Sequence, residues 1–150
     1  MESEIYTIGY EGLDLRQFLA HLTHYGIDIV ADVRILPTSR KKGFSKTALG
    51  KFLLNHGIEY KNFQDLGASK TLRTELYRTW NYSRFFNEYR DSIADKAHVL
   101  NKLLSIVRDN RKLVLLCYER DPETCHRKII AEEVQKLGGN GLKTTNIIPL

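Results

Sequence analysis

The chain has 150 residues, of which 42% are apolar and 27% charged, values that fit one soluble globular domain spanning residues 1–150. Its formal net charge of +5 permits an anionic partner without requiring one. No apolar run approaches the roughly 20 residues that span a bilayer, and the acidic start Met1–Glu4 has no signal-peptide core, so neither membrane insertion nor export is expected. Two cysteines are too few for a disulfide scaffold and suit a reducing cytoplasm.

The first half of the chain alternates between strand-like and helix-like patterns. Helices are predicted after Asp14 and Ser45, because these residue types cap helix N-termini, and they end at Gly26 and Gly57. A polar, basic loop is predicted between the second strand and the second helix. Two buried strands are predicted at residues 5–9 and 27–33, and a third strand at residues 58–63.

The second half begins with the least regular stretch, residues 64–81, which has helical character only around residues 72–77. A helical period then runs from Tyr82 to Val107, with a break near Asp95. The apolar run 113–116 is typical of a central strand covered on both faces. Asp121 and Pro122 open a last helix, whose core face carries Ile130, Val134 and Leu137, and a final strand is predicted at residues 144–148.

This order of elements predicts an α/β three-layer sandwich with a mostly parallel sheet of about five strands. Parallel neighbours need helical crossovers, and these crossovers are right-handed. Ligands of such sheets bind outside the carboxyl ends of the strands, where the strand order reverses.

The unusual polar residues of the chain fall at those strand ends. We therefore expect a site at this edge, with candidate ligand-binding residues Gly9, Tyr10, Arg34, Ser39, Gly67, Cys117, Arg120 and Arg127, and candidate catalytic residues Glu119, Asp32, His126 and Cys125.

A helix N-terminus close to residues 125–127 favours a bound anion and a thiolate at Cys125. Arg34, Arg120 and Arg127 are the expected anion contacts, and Glu119, Asp32 or His126 the expected proton carriers. In a purely structural alternative, Arg127 pairs with Glu119 or Asp32 and Cys125 is a small buried filler. The structural alternative is preferred for Cys125.

A metal site is the weaker interpretation of the same residues. Cys117, Cys125 and His126 could bind zinc with Asp32 or Glu119 as a fourth ligand, but the spacing lacks the usual Cys-x2-Cys pairing. No metal and no cofactor are therefore expected.

Two further surfaces leave other functions open. The basic segment 34–51, with Phe44 interleaved, is typical of a nucleic-acid contact, a lid over the site or a solvated loop. A dense aromatic group between Tyr77 and Tyr89 is typical of core packing, although a homodimer contact through it is possible.

Several motifs occur together along nearly the whole chain: Thr7-Ile8-Gly9-Tyr10-Glu11, Asp32-Val33-Arg34 with Pro37 and Ser39, Gly57-Ile58-Glu59-Tyr60 with Leu66-Gly67, and Leu115-Leu116-Cys117-Tyr118-Glu119 with Asp121-Pro122 and Cys125-His126-Arg127. In these motifs the chain resembles the uncharacterised family filed as domain of unknown function number 488. The resemblance implies a small α/β domain of bacteria and archaea and leaves the biochemical role unsettled. Many members have a second glycine after the Leu-Gly pair, where this chain has Ala68.

The sequence therefore predicts a cytoplasmic enzyme that binds a phosphate-bearing ligand, such as a nucleotide, a sugar phosphate or nucleic acid, at the carboxyl edge of the sheet. The alternative is a non-catalytic module that binds nucleic acid or another protein.

Overall fold

The computed structural model describes residues 3–149. Its strands are β1 (Ser3–Gly9), β2 (Ile29–Asp32), β3 (Glu59–Asn62), β4 (Leu113–Cys117) and β5 (Leu142–Ile147). Its helices are α1 (Leu15–Tyr25), α2 (Lys46–Leu54), α3 (Lys70–Thr79), α4 (Tyr82–Ser92), α5 (Ala97–Arg108) and α6 (Arg127–Gly138). Two short 3-10 turns lie at Gln64–Leu66 and Pro122–Thr124.

The strands form one sheet in the order β3-β2-β4-β1-β5, and every pairing between the described strands is parallel. The predicted α/β class is thus confirmed. β4 is the central strand, and all five of its residues are buried, as its continuous apolar run predicts. Along the chain, β1, β2 and β3 lie successively closer to one edge of the sheet. The next strand, β4, lies between β2 and β1, so the strand order reverses beside β4.

The helices cover the two faces of the sheet unequally. One apolar cluster packs α1 and α2 against one face, and a larger one packs α3, α4, α5 and α6 against the other. Because side chains alternate along a strand, Val114 and Leu116 belong to the first cluster, whereas Leu113, Leu115 and Cys117 belong to the second. Cys117 therefore lies on the face that α6 covers.

The predicted cap of α1 is present in full. The Gln17 backbone N–H donates to Asp14 Oδ1 at 2.8 Å, and the Asp14 N–H donates to Gln17 Oε1 at 3.0 Å. Gly26 ends the helix in the left-handed region at φ 67°. The predicted break near Asp95 is also present, between the end of α4 and the start of α5.

Three details differ from the sequence prediction. Asp121 and Pro122 open only a 3-10 turn, because Cys125 takes an extended conformation and α6 begins afterwards at Arg127. The helix around residues 72–77 is longer, since Ser69 caps it through the Leu72 N–H at 3.2 Å. Leu137 is 41% exposed rather than part of the core, because it faces a surface groove in the last turn of α6.

Among residues 3–149, none of the helices combines the length and the hydrophobicity that a bilayer crossing requires.

Candidate functional site

A cavity of about 240 Å³ opens at the carboxyl edge of the sheet, beside the end of β4. Its walls come from the ends of β1, β2 and β4, the loop after β2, the helices α3 and α4, and the segment before α6. The lining residues are Tyr10, Arg34, Ile35, Leu36, Thr38, Ala68, Arg73, Leu76, Tyr77, Phe85, Cys117, Tyr118, Glu119, Thr124, Cys125 and His126. This cavity lies at the strand ends next to the reversal in strand order, where the sequence places the site, and its use as a binding site stays a prediction.

Gly9 lets the loop after β4 pass directly over the end of β1. A Cβ atom at this position would lie 1.7 Å from the Glu119 carbonyl oxygen, so any larger residue would push that loop away. Two backbone hydrogen bonds hold the crossing, from the Tyr10 N–H to the Cys117 carbonyl at 3.1 Å and from the Glu11 N–H to the Tyr118 carbonyl at 2.8 Å. Gly9 thus positions Glu119 without lining the cavity itself.

Gly67 has a similar role at the neighbouring turn. Its missing side chain admits the backbone of Ile35, which would lie 2.4 Å from a Cβ atom placed there. Ala68 follows it and is 2% exposed in the cavity wall, so an alanine fits where a glycine is common in the family that the motifs resemble.

Two thiols and one imidazole meet in the cavity wall. Cys117 ends β4, while Cys125 and His126 directly precede α6, and all three residues are buried. His126 Nδ1 lies 3.7 Å from Cys117 Sγ and 3.8 Å from Cys125 Sγ. The other ring nitrogen, Nε2, lies 2.8 Å from the Val33 carbonyl oxygen. The fold therefore brings together three residues that the sequence separates by up to nine positions.

Glu119 lies at the side of this cluster, with its Oε2 atom 3.3 Å from Cys117 Sγ, where it accepts the thiol hydrogen bond. Burial, together with negative charge at Cys125, raises the pKa of the Glu119 carboxyl to about 7.

The two thiols differ in their electrostatic surroundings. Burial acts to raise the pKa of Cys125, but the hydrogen bond from Cys117 and the charge of His126 outweigh it, and that pKa is lowered. Hydrogen bonding to Cys125, followed by burial, raises the pKa of Cys117. Cys125 is thus the thiol that ionises more readily.

Asp32 and Arg34 form a separate, closed network beside the cavity. Arg34 Nε and Nη2 donate to the two Asp32 carboxylate oxygens at 2.9 and 2.7 Å. The Arg34 backbone N–H donates to Asp32 at 3.1 Å, and the Tyr60 hydroxyl donates to it at 2.5 Å. Arg34 Nη1 donates to the Tyr10 hydroxyl at 3.2 Å. Asp32 is fully buried and does not line the cavity, so its position is that of an anchor for Arg34.

Arg127 and Arg120 do not reach the cavity. Arg127 is fully buried, and it donates to the backbone carbonyls of Glu119 at 2.5 Å and Arg120 at 3.2 Å. It therefore holds the loop after β4, through carbonyl oxygens rather than through the carboxylates of Glu119 or Asp32. Arg120 is exposed on another groove, where its side chain donates to the Pro149 carbonyl.

Ser39 shapes the basic loop rather than the cavity wall. Its backbone N–H donates to Ser45 Oγ at 3.0 Å, and its own Oγ accepts the Lys41 N–H at 3.1 Å. Lys41 Nζ in turn donates to the Leu13 carbonyl at 2.8 Å. Phe44 is fully buried and stacks on Tyr10, with ring centroids 4.6 Å apart, so it cannot stack on a nucleic-acid base.

The aromatic group divides into a buried and an exposed part. Phe85 and Tyr89 are buried in the larger apolar cluster, as predicted for core packing. Tyr77 and Trp80 are 53% and 61% exposed. A homodimer contact through these two residues stays a prediction.

Sequence reasoning did not single out Arg73, which comes from α3 and lines the cavity. Its Nε atom is buried without a hydrogen-bond partner, and among residues 3–149 no carboxylate lies within 4.0 Å of its guanidinium group. The sequence does hold a weak signal, since Arg73 lies between Leu72 and Leu76 on the side of α3 that faces the core.

The fold and the cavity define the class of this protein: a parallel α/β domain with a thiol, imidazole and carboxylate cluster at the point where strand order reverses. The chain belongs to the family described as "Domain of unknown function DUF488", whose model matches residues 14–134. The family resemblance expected from the motifs is thus confirmed, and the matched range includes every cavity residue except Tyr10. No curated protein matches the chain, and no solved structure matches it either.

Proposed function

We propose that the protein is an enzyme that binds a small phosphate-bearing ligand in this cavity. The observation that carries the proposal is the guanidinium group of Arg73, which faces the cavity beside the thiol and imidazole cluster with its Nε unsatisfied. Leaving the buried Nε–H donor of this half-buried residue without an acceptor costs free energy, and a ligand anion would remove that cost.

The chemistry of the cavity favours phosphate over a neutral ligand. Guanidinium groups bind phosphate or carboxylate through two parallel N–H donors. Arg34 is a second cation in the lining, fixed in place by Asp32. The N-terminus of α6 directly follows His126, so the positive end of that helix dipole also lies at the cavity.

Glu119 is the carboxylate that could exchange a proton with a bound ligand. It lines the cavity, whereas Asp32 lies outside it and has its carboxylate oxygens occupied by Arg34 and Tyr60. His126 is placed less well for this role, because its Nε2 faces the Val33 carbonyl and its Nδ1 faces the two thiols.

The size of the cavity narrows the ligand class. Its volume of about 240 Å³ is below the ~300–1,000 Å³ of common ligand pockets. We therefore infer a sugar phosphate or the phosphate-bearing end of a nucleotide rather than an enclosed dinucleotide. A nucleic-acid module has less support, because Phe44 is buried and cannot stack on bases. The proposal includes a cytoplasmic location, which suits two free cysteines.

The proposal is tested by calorimetric titration with inorganic phosphate, ribose 5-phosphate and adenosine monophosphate, with ribose and adenosine as unphosphorylated controls. Arg73→Gln removes the two parallel guanidinium donors. It should weaken phosphate binding by about 10- to 100-fold, since hydrogen bonds to charged groups contribute about 1.5–3 kcal/mol. Arg73→Lys keeps the positive charge but loses the two parallel N–H donors, so its affinity for phosphate should lie between those of the wild type and Arg73→Gln.

The matched control is Arg78→Gln, on the same helix but exposed and paired with Glu75. It should bind like the wild type. No binding of any phosphate compound, or equal binding by wild type and Arg73→Gln, would contradict the proposal.

A further inference from the structure

We propose that Cys117, Cys125 and His126 form a mononuclear Zn²⁺ site whose fourth coordination position opens into the cavity. Their ligand atoms, two Sγ and Nδ1, all lie within 4.8 Å of one another. This inference goes beyond the proposed ligand binding and does not depend on it, because metal binding is measured without a phosphate compound.

The separations within the cluster match those of a tetrahedral zinc centre. Zn–S bonds of about 2.3 Å and Zn–N bonds of about 2.05 Å give S···N edges of about 3.6 Å in a tetrahedron. The two S···N separations are 3.7 and 3.8 Å. These two edges fit zinc within a few tenths of an ångström, and the third, between the two sulfur atoms, is at most 4.8 Å, against about 3.8 Å in such a tetrahedron.

The orientation of the His126 ring suits a metal ligand. A carbonyl oxygen can only accept, so the 2.8 Å contact with Val33 requires the proton on Nε2. In the neutral ring this leaves the lone pair of Nδ1 directed at the two sulfur atoms. Histidine ligands of metals commonly donate their other N–H to a carbonyl in this way, which fixes both tautomer and ring angle.

The charge next to the cluster favours two thiolates. Arg127 follows His126 in the chain and is fully buried, and no carboxylate of residues 3–149 lies within 4.0 Å of it. The positive charge of Arg127 stabilises the thiolate form of the two sulfur ligands. On binding, Zn²⁺ would replace the two thiol protons, which pass to solvent, so the net charge of the cluster is unchanged.

The number of ligands and their types decide the metal and the kind of site. Two thiolates and one imidazole in tetrahedral array select zinc among the common divalent ions. Three protein ligands leave a fourth position for water or a ligand atom, as in catalytic rather than structural zinc sites. That position faces the cavity, since all three residues line it together with Glu119.

The test uses the untagged full chain, reduced with a phosphine and stripped with a chelator. Titration with Zn²⁺ against a chromophoric chelator should give about one tight site per chain. Co²⁺ should give the thiolate-to-cobalt charge-transfer band and the intense visible bands of a tetrahedral thiolate site. No zinc bound in competition with the chelator, or Co²⁺ spectra without thiolate bands, would overturn the proposal.

Variants identify the ligands. Cys117→Ser, Cys125→Ser and His126→Ala should each weaken zinc binding by at least about 100-fold. His98→Ala, which removes an exposed histidine on α5, is the matched control and should bind like the wild type. Zinc binding that the three variants leave unchanged would assign the metal to another place and refute the site.

Thiol modification keeps the test valid if a variant fails to fold. The wild-type chain has only two cysteines, so saturating Zn²⁺ should slow the reaction of both with a disulfide reagent by at least about tenfold. Unchanged reactivity would contradict the proposal. Zinc binding is measured without any phosphate compound, so that a failed phosphate titration and a failed zinc titration are separate results.

Discussion

Two buried polar clusters lie within one sheet edge, and they differ in how fully their hydrogen bonds are satisfied. In the cluster of Asp32, Arg34 and Tyr60, the carboxylate accepts four hydrogen bonds between 2.5 and 3.1 Å long. In the cavity cluster around Cys117, Cys125 and His126, the sulfur–nitrogen contacts of 3.7 and 3.8 Å have the ordinary length of hydrogen bonds to sulfur, and the unsatisfied atom is Nε of Arg73 in the same cavity wall.

This difference indicates which cluster stabilises the fold and which can bind a ligand. A fully satisfied buried network makes the local structure rigid, whereas a partly satisfied one retains donors and acceptors for another molecule. Arg73 fits the second description, because its Nε lacks an acceptor within residues 3–149. The difference supports a structural role for Asp32, which holds Arg34 at the cavity wall, and the proposed ligand binding in the cavity, although both were candidates from the sequence.

The largest expected effect comes from breaking the closed network. Asp32→Ala leaves the Arg34 guanidinium buried without its carboxylate, and it should lower the free energy of unfolding by about 3–5 kcal/mol in urea denaturation. Asp95→Ala, in an exposed turn, is the control and should change it by less than about 0.5 kcal/mol. A loss below about 1 kcal/mol for Asp32→Ala would mean that the network does not hold this edge.

Gly9→Ala tests the crossing that positions the cavity cluster. Since the new Cβ atom would lie 1.7 Å from the Glu119 carbonyl, the loop must move, and we expect a loss of about 1–3 kcal/mol in unfolding free energy. Gly50→Ala, inside α2, is the matched control, because its Cβ atom would meet Tyr60 at an ordinary 3.4 Å. It should be neutral or stabilising by up to about 1 kcal/mol. Equal effects of the two substitutions would refute the close crossing.

The smallest effect is expected at the rim of the closed network. Tyr60→Phe removes one of the four hydrogen bonds to Asp32 and should cost about 1–2 kcal/mol, less than Asp32→Ala because Arg34 keeps its partner. Thermal denaturation at neutral pH measures the difference. A loss as large as that of Asp32→Ala would show that Tyr60, rather than Arg34, is the main partner of the carboxylate.

The same substitution has a pH signature. Burial and the neighbouring Asp32 charge raise the pKa of Tyr60 well above its ordinary value. The folded state favours the neutral hydroxyl, whereas the tyrosine of the unfolded chain ionises at about pH 10. The contribution of Tyr60 to the free energy of unfolding is therefore complete below about pH 10 and is lost as the pH rises further. Unfolding free energy should therefore fall less steeply above about pH 10 in Tyr60→Phe than in the wild type. Parallel curves would contradict this.

The sequence predicted most of the fold because its local and long-range signals agree. The apolar run 113–116 favoured a central strand, and Asp14 marked the start of α1 to the residue. The details that it missed depend on tertiary packing. Neither the extended conformation of Cys125 nor the exposure of Leu137 follows from periodicity alone.

The candidate site was predictable in position but not in the role of each residue. The strand ends located the cavity, yet residue type could not show that Arg127 is directed at backbone carbonyls or that Arg34 is paired with Asp32. Arg73 was missed because it comes from the least regular stretch of the sequence, and only packing turns it into the cavity. The sequence did suggest that Cys117, Cys125 and His126 could share a metal, but this was the weaker interpretation because their spacing lacks the usual Cys-x2-Cys pairing.

The most direct test of the account is the difference density of a crystal soaked in ribose 5-phosphate. The account predicts a phosphate group in the cavity of about 240 Å³, within hydrogen-bond distance of the Arg73 guanidinium, with Asp32 and Arg34 still paired. A phosphate bound at Arg120 instead, or a cavity in which Arg73 is closed off by a protein carboxylate, would contradict it.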